Sequence, residues 1–305
     1  MQKSLFDLPE YESKANSSTV RRTKRVTNVA SVPMRSPFRY PGGKTWLVPQ
    51  IRRWLAVQGG PEKQMIELFA GGGIVSLTAV FEKLVGHATL VELDQDVAAV
   101  WQTIIQGDAE WLANQIVTFD LTPDSARKAI ANRDESVQAR ALATIIKNRV
   151  NRGGILAEGA SFVRHGENGK GILSRWYPTT LKRRIIEIHH LRDRFSFIWG
   201  DAFSVLNENL DQANTLFFID PPYVKAGSRL YNHSEIDHLA LFELVYRAKG
   251  NFLMTYDDHP EIQRFALEYG FDTRHIPMKT THHAQKFELL IGRSLDWMER
   301  TDSHD

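Results

Sequence analysis

The chain has no cysteine among its 305 residues. That excludes a disulfide framework, a thiolate nucleophile and a thiolate metal site, and it suits a reducing compartment. Also missing is any unbroken apolar run long enough to cross a bilayer, and the opening MQKSLFDLPE carries acids where a secretory leader would be apolar. No internal repeat is visible, and no low-complexity tract lies beyond the N-terminal stretch. A soluble, cytoplasmic protein without a membrane partner is expected. Hydrophobic residues make up 42% of the chain, enough for a sizeable core in one large domain or two modest ones.

A large net charge is absent too, at +2, but the charge is unevenly distributed. Residues 121–195 hold 15 basic and 7 acidic side chains, and residues 1–36 hold 7 and 3. The remainder is acidic. Such a pattern fits solvated helix faces or the footprint of a polyanion.

Residues 1–36 lack periodicity, are rich in Ser, Thr, Asn, Lys and Arg, include RRTKR, and read as a flexible basic arm. Beyond a Pro-Gly-Gly turn, Thr45 to Val57 has helical spacing of Leu47, Ile51, Trp54 and Leu55. QMIELF then reads as a strand, AGGG as a turn and IVSLTAVFEKL as a helix. HATLVEL is the next strand, and DVAAVWQTII is helical. This alternation predicts a doubly wound, Rossmann-like α/β sheet. It stops near residue 107, and a helical, basic segment follows to about residue 195. Strand signals return in RFSFIWGD, TLFFIDPP, NFLMTY, FDTRHIPM and KFELLIG. The predicted organisation is a sheet domain from residues 37–106 and 196–305, with residues 107–195 inserted as a helical lobe.

Two turns carry the chemistry. In Glu67-Leu68-Phe69-Ala70-Gly71-Gly72-Gly73 the glycines sit between a strand and a helix, where a ligand can approach the backbone and a helix N-terminus favours a negative group. Glu92, ending the next strand, is placed to accept hydrogen bonds from ribose hydroxyls. This much fits a nicotinamide or flavin dinucleotide as well as S-adenosylmethionine. The second turn is Asp220-Pro221-Pro222-Tyr223 after the apolar run Leu216 to Ile219. Proline ends the strand at Asp220. A carboxylate, a backbone carbonyl and an aromatic face describe a pocket for the amino group of a nucleobase. Holding both N–H bonds lets the nitrogen aim its lone pair at an electrophilic methyl by orientation alone, without a metal.

PGGK at 41–44, FAGGG at 69–73, the acid of VEL at 92, GDAF at 200–203 and DPPY at 220–223, in this order, resemble the Dam-like adenine-N6 DNA methyltransferases of the alpha group. The resemblance spans residues 37–293. It implies S-adenosylmethionine as cofactor, adenine N6 in a flipped-out base of double-stranded DNA as methyl acceptor, and target recognition by residues 107–195. Tyr40 and Lys44 match the motif near the cofactor's methionine end; Phe69, Ala70, Gly71 and Gly73 match the glycine loop. Glu92 matches the ribose-binding acid, and Asp201, Ala202 and Phe203 match the element that meets the cofactor's adenine. Asp220, Pro221, Pro222 and Tyr223 match the methyl-acceptor pocket, while Lys225 and Asn232 fall in a loop near the DNA. A nucleoid-associated location follows from that partner.

The stretch NRGGILAEGASFVRHGENGKGILSRWYP departs from the recognition region of the members that methylate GATC, so no target sequence carries over. By residue type, Arg152, Arg164, Lys170, Arg175 and Trp176 are candidate DNA contacts. The histidines lack ligand-like spacing, so no metal is expected. Adenine-N6 methylation of RNA and N4 methylation of cytosine in DNA remain alternatives, because the pocket describes only an amine. Gln2, Ser4, Leu5 and Phe6 resemble a bacterial sliding-clamp-binding peptide, whose apolar pair would fill a pocket on the clamp.

Overall fold

The computed structural model describes residues 31–40, 42–223, 236–279 and 285–299. The segments read as strands become β1 (Gly60–Leu68), β2 (Val85–Glu92), β3 (Phe195–Trp199), β4 (Thr215–Ile219), β5 (Asn251–Asp257), β6 (Asp272–Lys279) and β7 (Gln285–Gly292). They form one seven-stranded sheet in the order β3-β2-β1-β4-β5-β7-β6. Neighbours from β3 to β5 are parallel, and β7 runs antiparallel to both β5 and β6. This is the doubly wound α/β architecture that the alternation of elements predicts.

Parallel strands must be joined by crossovers, and helices supply them. They are α1 (Val48–Gln58), α2 (Ile74–Phe81), α3 (Gln95–Trp101), α4 (Ala109–Thr118), α5 (Pro123–Ala131), α6 (Val137–Val150), α7 (Pro178–His190), α8 (Ala202–Glu208), α9 (His238–Arg247) and α10 (Pro260–Glu268). The side chains of Asp94, Asp108, Ser136, Asp201 and Asp237 accept backbone N–H bonds and fix the starts of α3, α4, α6, α8 and α9. The run after α3 continues as a π-helical turn over Gln102–Gln106.

Strand alternation sorts side chains between two cores. Met65, Ala88, Leu90, Phe218, Leu253 and Leu290 face one, with α1, α2 and α3. Ile66, Leu68, Phe217, Ile219, Met254 and Tyr256 face the other, with α8, α9 and α10. The helices of residues 107–195 are not walled off from this arrangement. Leu112, Ile145, Leu181 and Ile185 belong to the first core, and only Leu121, Ala126, Ile146 and Val150 form a small cluster apart. The composition changes at residue 107, but the packing does not. Val32, in the stretch whose composition reads as an arm, is 3% exposed and joins the first core, because an apolar residue within reach of that core is buried whatever its polar neighbours.

Phe38 also enters the first core, and the extended segment that follows is held by α6. Asn148, fully buried, accepts from Arg39 N–H at 2.9 Å and donates to the carbonyls of Arg39 at 3.0 Å and Gly154 at 2.8 Å. Gly154 must be glycine: its φ is +76°, and a Cβ there would lie 2.4 Å from the Arg39 carbonyl oxygen. Beside it, Arg149 donates to the Pro37 carbonyl.

Replacing Asn148 by Ala strands buried donors and acceptors on two chain segments. We expect Asn148→Ala to lower unfolding free energy by about 2–3 kcal/mol in urea titration. Cofactor affinity measured by calorimetry should weaken with it, because the freed segment carries Tyr40 and Lys44.

Candidate functional site

Strand order reverses between β1 and β4, and in open parallel sheets ligands bind where the two turns beyond such a reversal part. Here those turns are the glycine turn and DPPY. Leu68 pairs with Ile219, so the two turns leave the sheet side by side. A cavity of about 650 Å³ opens between them. Tyr40, Lys44, Phe69, Ala70, Gly71, Gly73, Glu92, Asp201, Ala202, Phe203, Asp220, Pro221, Pro222 and Tyr223 all line it.

The glycine turn is wound tightly. Phe69 adopts φ 60°, a left-handed conformation that costs a non-glycine residue about 1–3 kcal/mol, and Gly71 follows at φ 49°. A Cβ on Gly71 would sit 2.6 Å from the Tyr40 ring, which packs over the turn. Gly71 N–H donates to Glu92 Oε2 at 2.8 Å, and its carbonyl accepts from Trp101 Nε1 at 2.9 Å. The other Glu92 oxygen accepts from Asp94 N–H at 2.9 Å. Burial pushes the Glu92 carboxyl up to about 7, against the pull of the Asp94 and Gly71 N–H groups. Two backbone donors thus hold this carboxylate in place, and its remaining lone pairs can accept from hydroxyl groups.

On the DPPY side, Asp220 Oδ1 accepts from Thr255 Oγ1 at 2.8 Å, and Oδ2 pairs with Lys44 Nζ at 2.8 Å. Lys44, only 3% exposed, also donates to Tyr223 Oη and the Gly42 carbonyl, each at 2.9 Å. The Tyr223 ring lies against Tyr256, with centroids 6.5 Å apart and planes 29° from parallel. Two further buried acids stand nearby. Glu67 accepts from Ser76 N–H at 2.7 Å, and burial drives its carboxyl up to about 7. Glu288, on β7, is raised to about 6 by burial, opposed by Lys44. An acid inside an apolar strand run, as in QMIELF and KFELLIG, is the signal that could have singled out these two. Nothing comparable marks Thr255 or Trp101.

Asp201 accepts at Oδ2 from Ser204 N–H and Oγ, capping α8 at the cavity edge. Arg152, Arg164 and Lys170 are exposed, and Arg175 forms an ion pair with Glu167. Trp176 joins the small helical cluster. It is half-buried and packs edge-on against Phe119, because an indole next to the small helical cluster gains more by covering it. Lys225, Asn232, Gln2, Ser4, Leu5 and Phe6 lie outside the described residues. Beside the segment that leads to Tyr40, Arg149 is pushed down to about 9 by burial and by Arg184, Arg39 and Arg175. Arg149, Arg175 and Arg184 belong to the basic stretch 121–195 marked in the sequence, but their meeting with Arg39 is set by the fold. Among the described residues, no group of three or more His, Cys, Asp or Glu could hold a metal ion, and no helix is long and apolar enough to cross a membrane.

Residues 40–152 match the family model of D12 class N6 adenine-specific DNA methyltransferases. That match runs from Tyr40 through the glycine turn and Glu92 to Arg152, and it bears out the resemblance carried by those motifs. No curated protein matches the chain significantly. Solved structures with a similar course include an rRNA methyltransferase from Streptomyces viridochromogenes, 11% identical with TM-score 0.38, covering 86% of this chain and 89% of its own. A precorrin-6y C5,15-methyltransferase from Geobacter metallireducens is 10% identical with TM-score 0.35, covering 90% and 93%. A SAM-dependent methyltransferase from Agrobacterium tumefaciens is 12% identical with TM-score 0.38, covering 81% and 61%. On the family match, the chain is a methyltransferase and its cofactor is S-adenosylmethionine. The donor set fits that molecule: a buried carboxylate with spare lone pairs, an apolar wall at Ala202 and Phe203, and a glycine turn open to the cavity.

The raised carboxyls have a consequence for stability. Glu67 and Glu92 are both driven from 4.5 up to about 7, so the folded chain holds protons that the unfolded chain has released. Stability should fall as pH rises from about 4.5 through about 7. Glu67→Gln keeps an acceptor for Ser76 N–H and removes one of these titrations. Urea midpoints at about pH 5 and about pH 8 should therefore differ less in the variant than in the wild type.

Proposed function

We propose that this protein transfers the methyl group of S-adenosylmethionine to the N6 amine of adenine in duplex DNA. The observation that carries this reading is the Asp220 carboxylate beside the Tyr223 ring, at the rim of the cavity that also holds the glycine turn and Glu92. When bound, the cofactor supplies an electrophilic methyl group on a sulfonium. Everything else is orientation by this chain. Glu92, held by Gly71 and Asp94, would accept from the ribose hydroxyls, and Ala202 and Phe203 would flank the cofactor's adenine. Tyr40 and Lys44 lie toward its amino-acid end.

The target base would stack on Tyr223 and donate an amine N–H to Asp220. An exocyclic amine on a purine is a poor nucleophile, because its lone pair is delocalised into the ring. Hydrogen bonds that hold the N–H groups out of the ring plane localise that pair and direct it at the methyl carbon. The bound cofactor would supply the methyl group to the amine nitrogen, and Asp220 or water would take the amine's surplus proton. Thr255, bonded to the other oxygen of Asp220, keeps the carboxylate turned towards the amine.

For the choice of DNA, the supporting features are the family match and the positive charge of Arg39, Arg149, Arg175 and Arg184 next to the cavity. RNA is the competing substrate, since an amine pocket does not read the sugar. Methylation-sensitive sequencing of DNA from cells expressing the chain reads base and context together. Digests of purified DNA and RNA after incubation decide between the polymers.

Two outcomes follow. Asp220→Ala should reduce methyl transfer by at least about 10²-fold while calorimetric affinity for S-adenosylhomocysteine stays close to wild type. Near-normal turnover in that variant would remove Asp220 from the reaction. Arg164→Glu combined with Arg175→Glu should weaken binding to non-cognate duplex and flatten its salt dependence, with cofactor affinity unchanged.

A further inference from the structure

Lys44 stands where a substrate amine would have to stand. Its ammonium has three donors, matched by Asp220 Oδ2 at 2.8 Å and by Tyr223 Oη and the Gly42 carbonyl at 2.9 Å. It lies at the hydroxyl end of the Tyr223 ring, 5.1 Å from the centroid. The carboxylate that the amine of a planar base would use is therefore engaged by a lysine of the same chain. An ion-paired Asp220 is a weak acceptor for an incoming amine, because the lysine neutralises its charge.

A second acceptor for that lysine is already in place. Glu288 is 5% exposed, and its Oε2 lies 3.7 Å from Lys44 Nζ, too far for a hydrogen bond. That oxygen has no hydrogen-bond partner of its own, while Tyr223 hydrogen-bonds the carboxyl group. Closing the gap to a charge-assisted bond requires a movement of roughly 1 Å.

We propose that Lys44 is a two-position latch: it holds Asp220 in the resting enzyme and moves to Glu288 when a target amine engages Asp220. The proposal rests on the reading of Asp220 as the amine's acceptor. The shift moves one positive charge between two neighbouring buried carboxylates. No charge enters or leaves the interior, so the two positions lie close in free energy and substrate contacts suffice to choose between them. Glu288 touches neither substrate nor cofactor in this scheme; it is a positioning residue acting through Lys44. Thr255 stays on Asp220 throughout and preserves its orientation.

The latch has a pH signature. The titratable and charged groups facing Glu288 are Lys44 from the N-terminal segment, Asp220 and Tyr223 from the turn after β4, and Asp257, its register partner on β5. Its other strand neighbour, Ile276 on β6, is apolar. Burial raises the Glu288 carboxyl to about 6, so acidification protonates it and removes the receiving position. Turnover should be present above that pH and fall below it.

The test uses the full-length protein, unmethylated genomic DNA of mixed sequence and quantitation of N6-methyladenine in nucleoside digests. Glu288→Gln should lower kcat about tenfold, the loss of one charge-assisted hydrogen bond. It should also lack the acid limb near pH 6, while S-adenosylhomocysteine affinity by calorimetry remains within about twofold. In a Lys44→Met background the same substitution should cost less than about twofold, because its route of action is gone. An equal cost in both backgrounds, or an unchanged acid limb in Glu288→Gln, overturns the latch. If Glu288→Gln does not fold, Glu288→Asp takes its place: it must retain the limb and lose rate only when Lys44 is present. The wild-type arm reports separately on the underlying reading. Wild-type N6 methylation with an uncoupled Glu288 sinks the latch alone, and no N6 methylation by the wild type sinks both.

Discussion

A lysine buried to 3% exposure is the constraint on which the site depends. A desolvated ammonium is tolerated only where acids and carbonyls surround it, so Lys44 forces the segment around Gly42 against the DPPY turn. The bond to Tyr223 joins positions 179 residues apart. Remove that requirement and the cavity loses the contact that ties its N-terminal wall to its C-terminal one. Such a pair is weak evidence for net stability, since desolvation offsets the attraction. Its value lies in specifying one geometry.

That segment is fixed from behind as well as in front. Asn148 satisfies both the N–H and the carbonyl of Arg39, as a neighbouring strand would, and Arg149 and Arg184 reach the carbonyls of Pro37 and Ser36. Helix α6 thereby supports the cofactor cavity while its other face packs in the small helical cluster. The basic region between β2 and β3 has a structural task independent of any partner, and the arginine charge gathered there is partly a by-product of that task.

The polar groups of the cavity are expensive, and the sheet makes them affordable only in one place. Glu67, Glu92 and Glu288 are each under 9% exposed, with carboxyls raised by burial. Glu67 accepts from a backbone N–H in the first turn of α2, Glu92 from those of Gly71 and Asp94, and Glu288 lies beside Lys44. The left-handed Phe69 adds strain at the same spot. Local rules of burial and backbone preference are broken together here, which is the usual mark of a functional site rather than of packing.

The glycine turn, Glu92 and DPPY were legible because each is local: a few consecutive residues whose conformational limits announce a strand end and a turn. Period-2 alternation carries further, since it assigns Glu67, Glu92, Thr255 and Glu288 to one face along their own strands. It cannot say which strands are neighbours. Thr255 reaches Asp220 because β5 lies next to β4, and Glu288 reaches Lys44 because β7 folds back antiparallel beside β5. The Asn148 clamp and the meeting of Arg39 with Arg149, Arg175 and Arg184 were invisible for the same reason; Asn148 and Arg39 alone lie 109 residues apart along the chain. By itself the sequence determined the elements, their class and the two turns, through short-range sterics and hydrophobic period. Tertiary structure alone decided which buried charge meets which, because Coulomb and hydrogen-bond partners are set by distance in space, and distance in space follows from strand order.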